Sequence, residues 1–424
     1  MPVHASQIKT GWRKTGRIAG RRVRQSFAKW IVVGMIVVSS LPILAQTSDT
    51  TVAAAPAQAA GDTDARPWWR GISTDGFLSL SYTYNDNVPA DRINQFRVFD
   101  FNDDDPQLDV AELVIQHAVS EPKQFGFRFD LIAGSGVPEV TAAYGLFRNM
   151  HSGLAHHVDI PQFFVSYIIP VGKGLRLDAG KFATHMGYEV IGGYDGYNDN
   201  YSRAFIFGYG VPFTHTGIKA SYAFNSRISS ALLITNGCDA VTRLNGGVTV
   251  GGQLAAITSK NTTLTFNFLH GPERPHNDHD QRSVYEVTGT WKVIPRLALA
   301  FDSLYADEDH ASTDGSDAIW KGFAGYTKYN LTREFSLAFR GEIFGDDGGS
   351  RTGTTQTLRG FTLTPEYVLP AKLSRVSSAF RHFDGKFVTR GEFRQDLSDH
   401  PTFRKGTGYT TRQFTTAVNL IYFF

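Results

Sequence analysis

The sequence predicts an all-β protein: a transmembrane, antiparallel, up-and-down β-barrel of about sixteen strands (roughly 14–18), with long loops at one end and short turns at the other. Three observations predict it. Apolar and polar residues alternate in stretch after stretch along the chain. The connections between these stretches are short and long by turns. An apolar leader precedes them, and the chain closes on an aromatic residue in an alternating segment.

Composition points the same way. The 424 residues include 32 Phe, 17 Tyr and 42 Gly against 4 Met, which suits strands joined by many turns. Cys238 is the single cysteine, so no internal disulfide forms, and no Cys/His cluster suggests structural zinc.

The first 45 residues read as a cleaved signal peptide. Eight basic residues from Lys9 to Lys29 form its n-region, and "WIVVGMIVVSSLPILA", ending at Ala45, is an uncharged apolar run. It is short of the ~20 residues that a spanning helix needs. Arg21 and Arg22 lack an apolar pair after them, which favours the general secretory route over the twin-arginine one. Without this leader the 42 Lys and Arg fall by eight to 34, against 40 Asp and Glu, a formal net charge of −6. The basicity of the whole chain therefore belongs to the leader, and no basic stripe suggests nucleic acid. Residues 46–73, rich in Ala, Thr and Pro, read as a disordered periplasmic tether, and 74–424 as the barrel.

Short connections fall at 120–123, 170–174, 225–227, 259–262, 293–296, 331–334 and 369–372. Long ones, rich in Gly, Asp and Asn, lie near 86–107, 135–156, 186–212, 237–248, 271–282, 307–318, 345–358 and 397–409. Strict alternation of seven short and eight long connections joins sixteen strands. This asymmetry belongs to an outer-membrane barrel with both termini in the periplasm. The stretch 373–386 fits the strand pattern poorly.

The faces decide which solvent each side meets. In "FLSLSYTYN" (77–85), Leu78, Leu80, Tyr82 and Tyr84 oppose Ser79, Ser81 and Thr83. Phe125, Phe127, Phe129 and Leu131 oppose Arg128 and Asp130; Leu175 and Leu177 oppose Arg176 and Asp178. Phe335, Leu337, Phe339 and Ile343 oppose Ser336, Arg340 and Glu342; Phe387 and Phe393 oppose Arg390, Glu392, Arg394 and Asp396. A Lys or Arg facing lipid at mid-membrane costs about 2–4 kcal/mol. The charges are thus expected inside and the aromatic residues outside. At the chain end, Val418, Leu420, Tyr422 and Phe424 alternate to the last residue. Tyr422 and Phe424 therefore read as a signal for the barrel-assembly machinery.

One block is more specific. "GKFATHMGYEVIGGYDGYNDNYSRAFIFGYGVPFTHTGIKASY" (180–222) carries "GKF", "GYE", "N-x-x-YSR" and "P-F-x-H-T-G", with "ITNG" following at 234–237. "FRGEIFGDDGGSRTG" (339–353) and "RGEFRQDLSD" (390–399) agree with it. The chain resembles the OmpL-like β-barrel porin family from about residue 75 to its end. Cys238, where a Trp is expected, and the stretch near 373–386 depart from the pattern. The resemblance implies an outer-membrane pore, in a family whose solutes are mostly undefined.

Pore-lining residues are expected at Arg128, Asp130, Arg176, Asp178, Lys219, Arg340, Glu342, Arg390, Glu392 and Arg394, where they set the lumen field or pair across it and brace the wall. Asp100, Asp103, Asp104, Asp105 and Asp109 have no calcium-loop spacing and read as an external loop, able to bridge lipopolysaccharide through divalent ions. His270, His276 and His279 read as a surface loop rather than a metal site. Tyr188, Tyr194, Tyr197 and Tyr201 read as an interfacial girdle, a stacking surface for sugars or an inward constriction. No catalytic constellation stands out, and no cofactor is implied.

The sequence therefore reads as a non-enzymatic outer-membrane porin for passive diffusion of small hydrophilic solutes or ions. Its partners are outer-membrane lipid and lipopolysaccharide, the barrel-assembly machinery and periplasmic chaperones, and its assembly state is a homotrimer or a monomer. The rival readings are a barrel enzyme of the lipase or protease type and a plugged structural or adhesive barrel.

Overall fold

The computed structural model describes residues 71–141, 157–193, 195–372, 375 and 384–424. The proposed leader and most of the tether lie outside them. The barrel strands are β1 (Ile72–Asn85), β2 (Asp105–His117), β3 (Phe125–Ala133), β4 (Val158–Ile169), β5 (Leu175–Ala183), β6 (Thr214–Ala223), β7 (Ile228–Cys238) and β8 (Thr249–Ser259). The wall continues through β9 (Thr262–Gly271), β10 (Arg282–Ile294), β11 (Leu297–Glu308), β12 (Ala318–Asn330), β13 (Phe335–Asp346), β14 (Gln356–Ala371) and β15 (Gly385–Ser398). A small hairpin follows, β16 (Phe403–Lys405) and β17 (Gly408–Thr410), before the last wall strand, β18 (Arg412–Phe423).

Sixteen strands pair antiparallel with their sequence neighbours, and β1 pairs with β18 to close the barrel. Closure leaves no unpaired edge, the condition for a sheet to sit in lipid. Short and long connections alternate as expected up to β14, but the seventh expected short turn is a 13-residue connection, 372–384. One boundary differs. Leu369, Pro370 and Ala371, expected in a turn, end β14, where Pro370 lies opposite Lys386. A terminal strand position tolerates the missing N–H of proline. The connection from 372 to 384, most of it outside the described residues, takes the poorly patterned stretch, and the count stays at sixteen.

The period-two pattern sets the faces. Leu80, Tyr82 and Tyr84 are exposed on the outer wall, while Ser79, Ser81, Thr83 and Asn85 are buried inside. The outer face continues through exposed Phe163, Ile218, Leu232, Phe323, Phe361, Phe393, Val418 and Leu420. Among the described residues, no helix is long and apolar enough to cross a membrane; these strands are what span it. A register shift between Ser79 and Leu80 places the extra residue, Asp109, beside Val110, and both are buried inside. Bulges re-aim side chains in this way.

The interior is not uniformly polar. Phe205, Ile206, Phe207, Val211 and Phe213 form an apolar core with Phe99, Leu304, Trp320, Phe344, Leu358 and Phe403. That corrects the expectation of an entirely wet lumen. Apolar wall residues turn inward wherever the chain itself supplies an apolar partner.

At the loop end, His310 and Asp280 bridge two loops. His310 Nδ1 lies 3.0 Å from Asp280 Oδ1, and Arg274 Nη1 lies 2.7 Å from Oδ2. Asp280 holds the His310 imidazolium above its ordinary value, and His310 draws Asp280 below its own. The His310 contribution is therefore complete below the ordinary histidine range and lost as pH rises through its raised value. The Asp280 contribution is complete above the ordinary aspartate range and lost as pH falls through its lowered value. Hydrogen exchange in 309–317, corrected for intrinsic rates, is expected to speed up as pH rises from below the ordinary histidine range through the raised value of His310. His310→Gln should abolish that dependence, and an equally steep profile in this variant would refute the bridge.

Candidate functional site: a chain segment folded into the lumen

Between β5 and β6 the chain runs from Thr184 to Phe213 and folds into the barrel. It enters where Gln253 Nε2 donates to His185 O at 2.8 Å. Gly187 then turns the chain at φ 97°, a conformation that favours glycine. A Cβ there would also meet the Phe207 ring at 2.8 Å. Its N–H donates to both carboxylate oxygens of Glu286 on β10, at 2.9 and 2.8 Å. The Tyr188 N–H donates to Asp302 on β11 at 3.1 Å. The Tyr188 ring packs against Tyr326 with centroids 4.4 Å apart.

The tip crosses to the opposite wall. Asp195 accepts from Arg128 Nη1 at 2.6 Å and from Gln162 Nε2 at 3.1 Å. Asp199 pairs with Lys328 Nζ on β12 at 2.7 Å. Arg203 fastens the tip from behind by donating to the carbonyls of Val190, Ile191 and Tyr201.

The return limb is bound through charge. Glu392 accepts from the N–H groups of Tyr201 and Ser202, at 2.6 and 3.1 Å. Tyr201 Oη donates to Ser81 Oγ at 2.6 Å and lies 3.0 Å from Asp109. Glu342 accepts the Phe205 N–H at 2.5 Å. Arg340 Nη1 donates to Glu189 at 2.7 Å and to Ser202 O at 2.6 Å. Arg394 Nη1 donates to Arg203 O at 2.6 Å, and its Nε pairs with Asp396 at 2.7 Å. A single π-helical turn, Ile206–Gly210, then passes beneath β11–β13, where Trp320 Nε1 donates to Gly210 O at 3.1 Å.

The side chains of Arg340, Glu342, Arg394 and Asp396 are 0% exposed. Ions this deep persist only when paired and hydrogen-bonded; here Arg340, Glu342 and Arg394 find partners on the inserted segment, and Asp396 pairs with Arg394 and Arg97. A sixteen-strand barrel could hold an open channel; this one carries a crosspiece. Among the described residues, the inward side chains of the loop half are covered, including Phe182, His215, Leu233, Thr249 and Leu269. The turn half is wetter. There Arg176 is 40% and Lys219 23% exposed, and Thr290 and Ala298 are open. Such a barrel, narrowed from within by its own segment, has the anatomy of a pore.

The family described as "Putative beta-barrel porin-2, OmpL-like" matches residues 71–424. The chain belongs to this family. No match is found among curated proteins. Three solved structures are similar to this porin. An anion-selective porin from Comamonas acidovorans superposes with TM-score 0.54 at 8% identity, covering 83% of this chain and 99% of that one. The outer membrane channel DcaP of Acinetobacter baumannii gives TM-score 0.51 at 8% identity, covering 83% and 97%. OmpF of Salmonella typhi, solved with daunomycin, gives 0.50 at 11%, with the same coverage as DcaP. At these identities the likeness concerns the fold.

The ten residues expected in the lumen all project into the barrel of this porin, in two groups. Arg340, Glu342, Arg390, Glu392 and Arg394 are buried beneath the inserted segment and bind it rather than water. Arg128 pairs with Asp130 at 2.8 Å and reaches the tip at Asp195. Asp178 serves two cations, Arg176 at 2.8 Å and Lys219 at 3.5 Å. The Lys219 ammonium lies 4.7 Å from the centre of the Phe182 ring.

The tyrosines turn inward: Tyr188, Tyr197 and Tyr201 belong to the inserted segment, while Tyr194 lies outside the described residues. The aspartates disperse. Asp100 pairs with Arg97, Asp103 accepts the Asn85 N–H, Asp104 accepts the Tyr82 hydroxyl, Asp105 is exposed and Asp109 lies in the lumen. Nor do the histidines meet: His270 contacts Ser283 on the outer wall, and His279 is almost fully exposed. Among the described residues, no three His, Cys, Asp or Glu converge to hold a metal. Tyr422 lies at the end of β18 and Phe424 just beyond it, with ring centroids 5.6 Å apart.

Sequence reading missed Glu189, Arg203, Glu286, Asp302 and Lys328 as functional. A signal was present: "GYE" ends at Glu189 and "YSR" is Tyr201 to Arg203. These motif residues are the ones that tie the inserted segment down.

Proposed function

We propose that the protein is a passive outer-membrane pore for small hydrophilic solutes and ions, narrowed by the segment from Thr184 to Phe213. One observation carries this reading: water reaches inward-facing Arg176 and Lys219 beside the inserted tip, where Asp195 is 51% exposed. Solutes move down their gradient, filtered by the space beside the tip and by the charges of Arg128, Asp130, Arg176, Asp178 and Lys219 that border it. Arg340, Glu342, Arg390, Glu392 and Arg394 serve the same pore by fixing the tip. The basic, apolar leader supports secretion across the inner membrane and cleavage near Ala45. Terminal Phe424 supports recognition by the assembly machinery. Exposed outer-wall aromatics support contact with outer-membrane lipid and lipopolysaccharide.

Purified mature protein is expected to give small, stable conductance steps in planar bilayers. Liposomes containing it should swell in small sugars and not in large ones. No steps at any salt concentration, with no swelling in the smallest sugar, would overturn the proposal in favour of a plugged barrel.

The enzyme reading finds less support. Ser283 Oγ lies 3.2 Å from His270 Nδ1, but no carboxylate hydrogen-bonds His270 among the described residues. Among the described residues, the Asp280–His310 pair likewise has no serine on its imidazole. Nucleophile activation needs the base held between the two.

A further inference from the structure

Each of the seven turn-end connections carries a cation. Lys123, Lys173, Arg227 and Lys260 occupy the first four, and Arg296, Arg333 and Lys372 the last three. All seven are exposed. No carboxylate among the described residues pairs with any of them. The acidic residues described in the same turns are Glu121, Glu334 and Asp384. The loop end differs: its carboxylates are more numerous, and several are already engaged. Asp280 meets Arg274, Asp347 meets Lys321, and Asp91 meets Arg404.

The turn-end excess is not reversed in the lumen. Arg176 and Lys219 share the carboxylate of Asp178, while Arg128 serves both Asp130 and Asp195, so three cations face three carboxylates at that level. Arg176 and Lys219 are reached by water, whereas the carboxylate they share is only 3% exposed. The third carboxylate of that level, Asp195 at the inserted tip, is 51% exposed, whereas Glu342, Glu392 and Asp396 are buried and matched by arginines. A mobile ion at the turn-end mouth therefore meets a ring of cations first and a wall of balanced charge next. A charged mouth set in low-dielectric walls concentrates ions of the opposite sign.

We infer that the pore prefers anions, small carboxylates and phosphates included. The preference is set by the turn-end ring, while Arg176 and Lys219 keep the lumen wall from turning negative. This inference rests on the passive-pore reading. The two parts respond differently to salt. Ring charges are screened beyond a Debye length, ~10 Å at 0.1 M and ~3 Å at 1 M. The lumen pair acts on ions at contact distance and keeps its effect.

The test is the reversal potential of mature protein in planar bilayers across a tenfold KCl gradient, measured around 0.1 M and again near 1 M. Chloride should be favoured over potassium severalfold at low salt, and less so at high salt. Charge reversal in four exposed turns (Lys123→Glu, Lys173→Glu, Arg227→Glu, Lys260→Glu together) should pull the ratio towards or below one at low salt. At 1 M this variant should match the parent. Arg176→Gln with Lys219→Gln should lower the ratio at both salts, and if that variant misfolds, the turn variant alone decides. Steps with potassium preferred, or a ratio that neither variant moves, would overturn the inference while leaving the pore. Absence of any step would overturn the pore reading and this inference with it.

Discussion

Arg340→Ala is expected to raise single-channel conductance severalfold and to make the open level noisy, while the barrel stays folded. Arg340 is fully buried on β13 and holds Glu189, Ser202 and Thr362 by four hydrogen bonds of 2.6–3.2 Å. Its Nε also lies 3.3 Å from Glu342. Truncation leaves Glu189 and Glu342 with a missing countercharge, and breaking a buried pair this way costs about 3–5 kcal/mol. The wall and the inserted segment differ in how they can absorb that cost. β13 is held by backbone ladders to β12 and β14 along its whole length. The segment is held there by side-chain bonds, so the least costly relief is for the return limb to leave the wall and take water. The passage beside the tip then widens. Arg340→Lys should fall between the two, because a point charge lacks the planar fork that reaches several acceptors at once. Heat-modifiable migration identical to the parent would show an intact barrel. Unchanged conductance in that intact barrel would remove the segment from its role as the constriction.

Much of the wall was legible because lipid and water impose opposite demands on successive residues. Leu80 beside Ser81, and Phe339 beside Arg340, leave one orientation available in a membrane. Loop lengths were legible because a turn that stays at the bilayer needs few residues. The inserted segment was not. Its polar, glycine-rich sequence resembles a solvated loop, and its partners lie far away along the chain: Gly187 meets Glu286, and Tyr201 meets Glu392. Alternation can say that Arg394 points inward. It cannot say whether water or a backbone carbonyl meets it there. The inward Phe344 and Leu358 show the same limit, since only the π-helical turn and its neighbours explain why apolar residues face the lumen.

The second large effect is expected at the seam. Phe424 forms two backbone hydrogen bonds with Gly76, both 3.1 Å, and so extends the β1–β18 closure to the last residue. Glycines approach it from both sides. A Cβ on Gly76 would lie 2.4 Å from the Phe424 ring, and a Cβ on Gly385 would lie 1.9 Å from the Phe423 carbonyl oxygen. Glycine inside a strand often marks such an approach. The two obstacles are not equal, because a ring can swing away and a ladder carbonyl cannot. Gly385→Val should therefore reduce the folded fraction more than Gly76→Val, with overpacking of about 1–3 kcal/mol or more at each site. Phe424→Ala removes the ring that Gly76 accommodates, so Gly76→Val should cost little more once Phe424→Ala is present. Gly385→Val should cost as much as before in that background. Urea midpoints and folded yields of the singles and doubles give the comparison. Full additivity of Gly76→Val with Phe424→Ala would mean that the ring does not dock on Gly76, and that the chain end closes the barrel through its backbone alone.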